Sequence, residues 1–232
     1  MREIVFDTET TGLDPFDGHR IVEIGCVELL NRIPTGVTFH RYLNPERDMP
    51  AEAFKVHGLS ADFLKDKPLF VTVADDLLEF FGESPLIAHN ASFDFGFLSA
   101  ELDRIKRTGL SRERLIDTIA LARRKHSAGP YSLDALCLRY GIDTSRRTKH
   151  GALLDAEILA EVYLELIGAR QAQLGLAEKG AGVSRRDGTA DRERAVPLAV
   201  RITEADRQAH RDFVATLGES PLWRQYLPRD SA

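Results

Sequence analysis

Residues 4–13 read IVFDTETTGL, three apolar residues running straight into Asp7, Thr8 and Glu9. Ile4–Phe6 has the composition of a short buried strand. In a strand the side chains at i and i+2 point the same way. Asp7 and Glu9 would then stand side by side, each raising the energy of the other's ionised form. Such a pair requires positive charge between its members. The same ten residues therefore predict both a strand and a place for a cation.

Outward from this stretch, strand and helix patterns follow one another. Residues 20–30 alternate Ile21, Glu23, Gly25 and Val27 on one face with Val22, Ile24 and Cys26 on the other, which suits a central strand covered on both sides. Thr35–Leu43 is rich in strand formers and follows a turn around Asn31–Gly36, so a hairpin is expected. The spacing of apolar residues predicts helices over 71–81, 93–105 and 152–166, with short strands at 86–88 and 115–116. A helix is expected to follow Asp117, and another runs from a Ser132 cap to Tyr140, where Gly141 ends it. A strand meander followed by alternating strands and helices is the pattern of an α/β domain with a mixed sheet.

Beyond Gly168 the pattern changes. Residues 175–194 carry Gly175, Gly180, Gly182 and Gly188 among scattered charges, with little apolar periodicity, and read as a flexible linker. Apolar residues return at 196–202, Thr203 precedes a helix from Glu204 to about Leu217, and Trp223 lies near the end with Leu222. Three regions are thus expected: a catalytic domain over 1–170, a linker over 171–195 and a C-terminal segment over 196–232.

Composition narrows the partners. The 232 residues are 43% hydrophobic and 29% charged, as in a soluble globular protein, and no apolar run is long enough to span a membrane. The N-terminal residues lack the apolar stretch of a secretion signal, so a cytoplasmic protein is expected. Cys26 and Cys137 each sit in an apolar periodic segment and read as buried reduced thiols. A formal charge of −5 disfavours wrapping of long duplex. It is compatible with a small pocket that grips one nucleic-acid end through metal ions.

Two further stretches repeat the logic of the first. Residues 86–94, LIAHNASFD, run a brief strand into polar groups and put Asp94 at the start of a helix. Residues 150–155, HGALLD, place His150 before a helix and Asp155 in its first turns. Sites in α/β sheets gather where strands give way to loops and helices. Four clustered carboxylates suit hard divalent cations, Mg²⁺ or Mn²⁺. Two such ions, roughly 3.5–4 Å apart, stabilise the attacking and leaving oxygens of an in-line phosphoryl displacement. Asp7 between both ions relieves the opening repulsion, and His150 is suited to take the proton of the attacking water near neutrality.

Taken together and in order, DTETTG, HNASFDFGFL and HGALLDAEILAEVYL resemble the three motifs of the DEDDh 3′→5′ exonucleases. The resemblance covers about residues 2–168. It implies an RNase H-like fold, a five-stranded mixed sheet flanked by helices. It implies that Asp7, Glu9 and Asp155 are metal ligands, that Asp94 completes the acidic set, and that His150 is the general base. Further stretches, VHGLS at 56–60, KDKP at 65–68, SLDALC at 132–137 and RTKHGALLDA at 147–156, resemble the branch of the family that proofreads within replicative DNA polymerases. That branch implies single-stranded or mispaired DNA 3′ ends as substrate.

The resemblance also assigns a substrate groove. Thr10, Thr11, Gly12 and Leu13 form a simple turn on one reading; on the family's, they hold the terminal nucleotide while Leu13 packs on its base. The segment with Phe54 and His57 borders the groove, Asn90 bonds a phosphate or sugar, and Phe93 is either core or a base-stacking platform. In the tail, Gln171, Leu174 and Leu176 resemble the short peptide with which replication proteins dock on the sliding clamp. Leu222 and Trp223 are either anchors on the polymerase's catalytic subunit or part of a helix folded on its own domain. Two rival functions remain at this stage: a stand-alone exonuclease trimming RNA or DNA ends, and an adaptor that mainly stabilises the polymerase.

Overall fold

The computed structural model describes residues 1–169 and 202–217. They belong to two units divided between Leu174 and Gly175. The expected linker, the clamp-docking residues Gln171, Leu174 and Leu176, and the anchors Leu222 and Trp223 lie outside the described residues.

Three strands open the first unit: β1 (Arg2–Thr10), β2 (Ile21–Leu30) and β3 (Ile33–Tyr42). Two short ones follow, β4 (Leu86–Ala88) and β5 (Leu115–Asp117). They form one sheet in the order β3-β2-β1-β4-β5. β1 pairs antiparallel with β2 and parallel with β4, β2 pairs antiparallel with β3, and β4 pairs parallel with β5. This is the mixed five-stranded sheet the family resemblance implied.

The end of β1 and the turn of the β2–β3 hairpin differ from the sequence expectation. β1 does not stop at Phe6, because β2 stays paired with it through Glu9, so Asp7 and Glu9 are strand residues. The hairpin turn is the pair Asn31-Arg32, both with positive φ, and β3 already begins at Ile33. A two-residue turn of this hand matches the twist of the strands it joins. Gly36, expected in the turn, lies within β3.

The helices of this unit are α1 (Ala51–His57), α2 (Ala61–Leu64), α3 (Phe70–Phe81), α4 (Ala91–Arg104), α5 (Thr118–Lys125), α6 (Leu133–Tyr140) and α7 (Ala152–Leu166). Strand alternation sorts the core into two layers. Ile4, Phe6, Ile24 and Cys26 pack with Leu77, Phe81 and Phe97 of α3 and α4. Val5, Leu29 and Ile87 pack with Ala122, Leu136 and Leu159 of α5, α6 and α7. Phe6 is wholly buried with its ring edge-on to Phe81 at 5.7 Å, a burial that stabilises by about 1.5–3 kcal/mol per such side chain. Cys26 and Cys137 are buried thiols, one in each layer.

Of the second unit the structure describes α8 (Glu204–Ala215), where the Thr203 and Asp206 side chains each bond the other's backbone N–H in a capping box. Among the described residues no helix is long and apolar enough to cross a membrane.

Candidate active site

Along β1, Val5, Asp7 and Glu9 share one side by alternation, the side covered by α7. Across the ladder Asp7 faces Gly25 of β2, and Glu9 faces Glu23. A Cβ built on Gly25 would lie 2.2 Å from the backbone nitrogen of Leu153 and 2.3 Å from the carbonyl carbon of Ala152. The first turn of α7 therefore rests directly on the sheet opposite Asp7, an approach that only glycine allows. Asp155 stands in that first turn and is 3% exposed. Gly25 drew no functional reading from sequence, although a lone glycine inside a central strand marks close backbone approach.

The β1–β2 register shifts between Glu9 and Thr10, so that Thr10 pairs with Ile21 while Glu9 pairs with Glu23. Val22 is the extra residue of this irregularity. It moves Ile21 into the layer of Ile24 and Cys26, whereas simple alternation had put Ile21 with Glu23.

β4 delivers the next acid. Asn90 takes the left-handed conformation at φ 64° and ψ 51°, and α4 starts at Ala91, two residues before the expected Phe93. Asp94 thereby falls in the first turn of α4 with 3% exposure. Its Oδ1 accepts hydrogen bonds from the Thr8 backbone nitrogen at 3.0 Å and the Thr8 hydroxyl at 2.7 Å. The helix acid is thus locked to the strand between Asp7 and Glu9.

Asp155 makes the densest contacts. Its Oδ2 lies 3.0 Å from Nδ1 of His150 and accepts from Nη2 of Arg147 at 2.7 Å. Nε of Arg147 lies 2.6 Å from Oδ1, a charge contact whose angle is not that of a hydrogen bond. The same Nη2 is 2.6 Å from His150 Nδ1, and Nη1 is ion-paired to Asp134. Glu9, His150 and Asp155 each offer one ligand atom, all within 4.8 Å of one another. Asp7 and Asp94 stand outside this tightest group, though Asp7 feels the charges of Asp94, Glu9 and Asp155.

The electrostatics follow from burial. Burial pushes Asp7 well above the usual carboxylate range, and the charges of Asp94, Glu9 and Asp155 push it further, while Arg147 opposes them. Glu9 is pushed up to about 8, first by burial and then by Asp155 and Glu23. Burial lifts Asp94 to about 7 against the two Thr8 hydrogen bonds. Carboxyls held this far above their ordinary values in one place fit a site that takes its charge balance from a bound cation. An oxygen-rich donor set suits a hard divalent cation.

Beside the acids opens a cavity of about 470 Å³. Of the expected groove residues, Thr10, Thr11, Gly12, Leu13, His57 and Phe93 line it, as does Glu9; Phe54 and Asn90, and the acids Asp7 and Asp155, are not among its lining residues. Phe54 carries Lys149 Nζ over its ring at 5.2 Å, and the Asn90 backbone nitrogen donates to Asp117 at 3.2 Å. The threonine hydroxyls shape the loop itself. Thr10 donates to the Gly12 carbonyl at 2.6 Å, and Thr11 accepts from the Arg20 nitrogen at 3.0 Å. Leu13, 84% exposed, projects outward from that rigid loop. His57 is buried; its Nδ1 accepts from Leu59, and its Nε2 lies near the Thr10 backbone without a well-aligned bond. Arg147, Glu23 and His19 have no role in the sequence reading of the site, yet the first two touch or face its acids and His19 lines its cavity, as does Val56 of the expected groove segment.

A mixed sheet that gathers acids from the end of one strand and the first turns of two helices defines a nuclease fold, and the chain belongs to the exonuclease family, whose model matches residues 4–163. Along nearly all its length it is similar to proteins named DNA polymerase III subunit epsilon. It is 48% identical over 222 residues to that of Rickettsia conorii, covering 94% of this chain and 96% of the relative. It is 43% identical over 238 residues to that of Escherichia coli, covering 96% and 97%. Among solved structures, Exonuclease X in complex with 5′ overhanging duplex DNA superposes with a TM-score of 0.56 at 26% identity, over 72% of this chain and 91% of that one. The nuclease domain of 3′hExo, a DEDDh family member bound to rAMP, shares the fold at 17% identity, with a TM-score of 0.63 over 72% of this chain and 92% of that one.

Proposed function

We infer that this chain is a proofreading 3′→5′ exonuclease of DNA polymerase III, which removes the last nucleotide of a single-stranded or frayed DNA 3′ end as a nucleoside 5′-monophosphate. The observation that carries the reading is the convergence of Asp7, Glu9, Asp94 and Asp155 beside one cavity, with His150 3.0 Å from Asp155. Similarity over nearly the whole length of proteins named as epsilon subunits supports the polymerase setting.

Each residue then has a task. Asp7, Glu9 and Asp155 would hold two divalent ions, Mg²⁺ or Mn²⁺, which supply positive charge to the attacking and leaving oxygens when bound. Asp94, tied to Thr8, keeps the end of β1 in place and adds to the negative field at the ions' position. His150, whose side chain is 46% exposed, reaches solvent and takes the proton from the attacking water. Leu13 and Phe93 offer apolar surface to the terminal base, and the cavity of about 470 Å³ is of a size to take one nucleotide. The C-terminal segment 196–232 would bind the DNA polymerase III alpha subunit and the peptide at 171–176 the sliding clamp. A role within a replicase places the chain in the cytoplasm.

Incubation of the purified chain with 3′-labelled single-stranded DNA, and in parallel RNA, tests this. With Mg²⁺ the DNA label is released as mononucleotide, and EDTA abolishes release. DNA left intact in Mg²⁺ or Mn²⁺ contradicts an enzymatic role; RNA digested in preference to DNA contradicts the proofreading one.

A further inference from the structure

Arg147 has no part in the chemistry assigned above, yet it is the cation at the centre of the acidic cluster. Its side chain is only 8% exposed. Nη2 bonds both His150 Nδ1 at 2.6 Å and Asp155 Oδ2 at 2.7 Å, and Nε is 2.6 Å from Asp155 Oδ1. Both carboxylate oxygens of Asp155 are therefore covered by one guanidinium. One of those oxygens completes the cluster of Glu9, His150 and Asp155 in which one ligand atom from each residue lies within 4.8 Å of the others. A guanidinium bound across the carboxylate and a dication bound to it compete for the same buried anion, because each like charge at contact distance weakens the hold of the other.

The outer edge of Arg147 is held differently. Nη1 pairs with Asp134, whose side chain is 72% exposed. The guanidinium thus spans a buried carboxylate and a solvent-facing one, and the solvent-facing one offers a seat if the buried one is taken away.

We propose that Arg147 is a built-in placeholder cation: it neutralises Asp155 in the metal-free site and gives Asp155 up to the incoming divalent ion, withdrawing toward Asp134. The proposal rests on the metal site inferred above. Arginine suits the task because its charge does not depend on pH and its planar fork covers both oxygens at once. The consequence is a competition. Arg147 stabilises the metal-free chain and, by linkage, weakens metal binding by the same free energy. Withdrawal also uncovers Nδ1 of His150, so the base is released together with metal loading.

The test measures Mn²⁺ binding by electron paramagnetic resonance, and thermal unfolding with and without saturating Mn²⁺, on the full chain and on Arg147→Gln and Arg147→Lys. Arg147→Gln is expected to bind Mn²⁺ about tenfold tighter, to unfold at lower temperature than wild type without metal, and to match wild type once Mn²⁺ saturates. Arg147→Lys, which keeps the charge but loses the fork, should fold and show a smaller shift in the same direction. Equal or weaker Mn²⁺ affinity in both variants, with a stability loss that Mn²⁺ does not remove, overturns the role of Arg147 while leaving the metal site intact. Absence of Mn²⁺ binding by wild type and variants alike overturns the site and the placeholder together.

Discussion

Glu9 and Glu23 stand directly opposite each other on β1 and β2, both buried, at 8% and 3% exposure. Glu23 has its own partner in His40, whose Nε2 lies 2.7 Å from its carboxylate. Like charges directly across a ladder are destabilising, and Glu23 is one of the neighbours that lift Glu9, after burial and Asp155. Glu23→Gln keeps an acceptor for His40 and removes the repulsion. It should stabilise the metal-free chain by about 0.5–1 kcal/mol at pH 8.5 and give no gain at pH 5, where Glu9 is protonated. Urea unfolding at both pH values checks this; an equal effect at both would show that charge is not the cause.

The raised carboxyls set the pH dependence of the metal-free chain. The unfolded chain releases these protons near pH 4, about the ordinary carboxylate value. The folded chain holds the proton of Asp94 to about 7 and that of Glu9 to about 8, and also retains that of Asp7 beyond the usual range. Folding then takes up protons, so the stabilisation is complete below pH ~4 and is lost as pH rises through 7 and 8. In EDTA the melting temperature should fall from pH 5 to pH 8.5, and excess Mg²⁺ should flatten or reverse the slope by replacing the protons. A melting temperature that climbs with pH in EDTA contradicts this.

Two glycines separate close approach from open space. Gly25→Val drives a side chain into the α7 backbone and should cost at least 1–3 kcal/mol, with loss of hydrolysis as Asp155 is displaced. Gly96, inside α4, has no atom within 4 Å of a built Cβ. Gly96→Ala should stabilise by up to about 1 kcal/mol through helix propensity alone. Equal tolerance of both substitutions in urea unfolding would show that α7 does not rest on Gly25.

His150→Ala should lower kcat on single-stranded DNA by about 10²–10⁴-fold, the range for loss of a general base, with little change in KM. Steady-state kinetics decide it, and an unaltered kcat removes His150 from the proton-transfer step.

The parts of the site legible in sequence are those written as local junctions. Asp7 and Glu9 follow an apolar run, Asp94 opens a helix, and His150 precedes one by two residues, so strand and helix periods were enough to place them. What escaped depends on tertiary register. Glu23 meets Glu9 only through the β1–β2 pairing, and the irregularity at Val22 reverses the side of Ile21 that alternation assigns. Arg147 lies in a stretch without periodicity and acquires meaning only from where its guanidinium points. Asn90 and Phe54 follow from neighbourhood in sequence; Asn90 takes the left-handed conformation, Phe54 carries Lys149 over its ring, and neither is among the residues lining the cavity.

Crystals grown with Mn²⁺ and a nucleoside 5′-monophosphate, and measured at the manganese absorption edge, test the gathering of metal by these acids most directly. Anomalous peaks should appear within coordination distance of Asp7, Glu9 and Asp155, with the nucleotide phosphate beside them and Arg147 off Asp155. Crystals that bind the nucleotide with no manganese on Asp7, or with manganese only at surface acids elsewhere, would contradict the account.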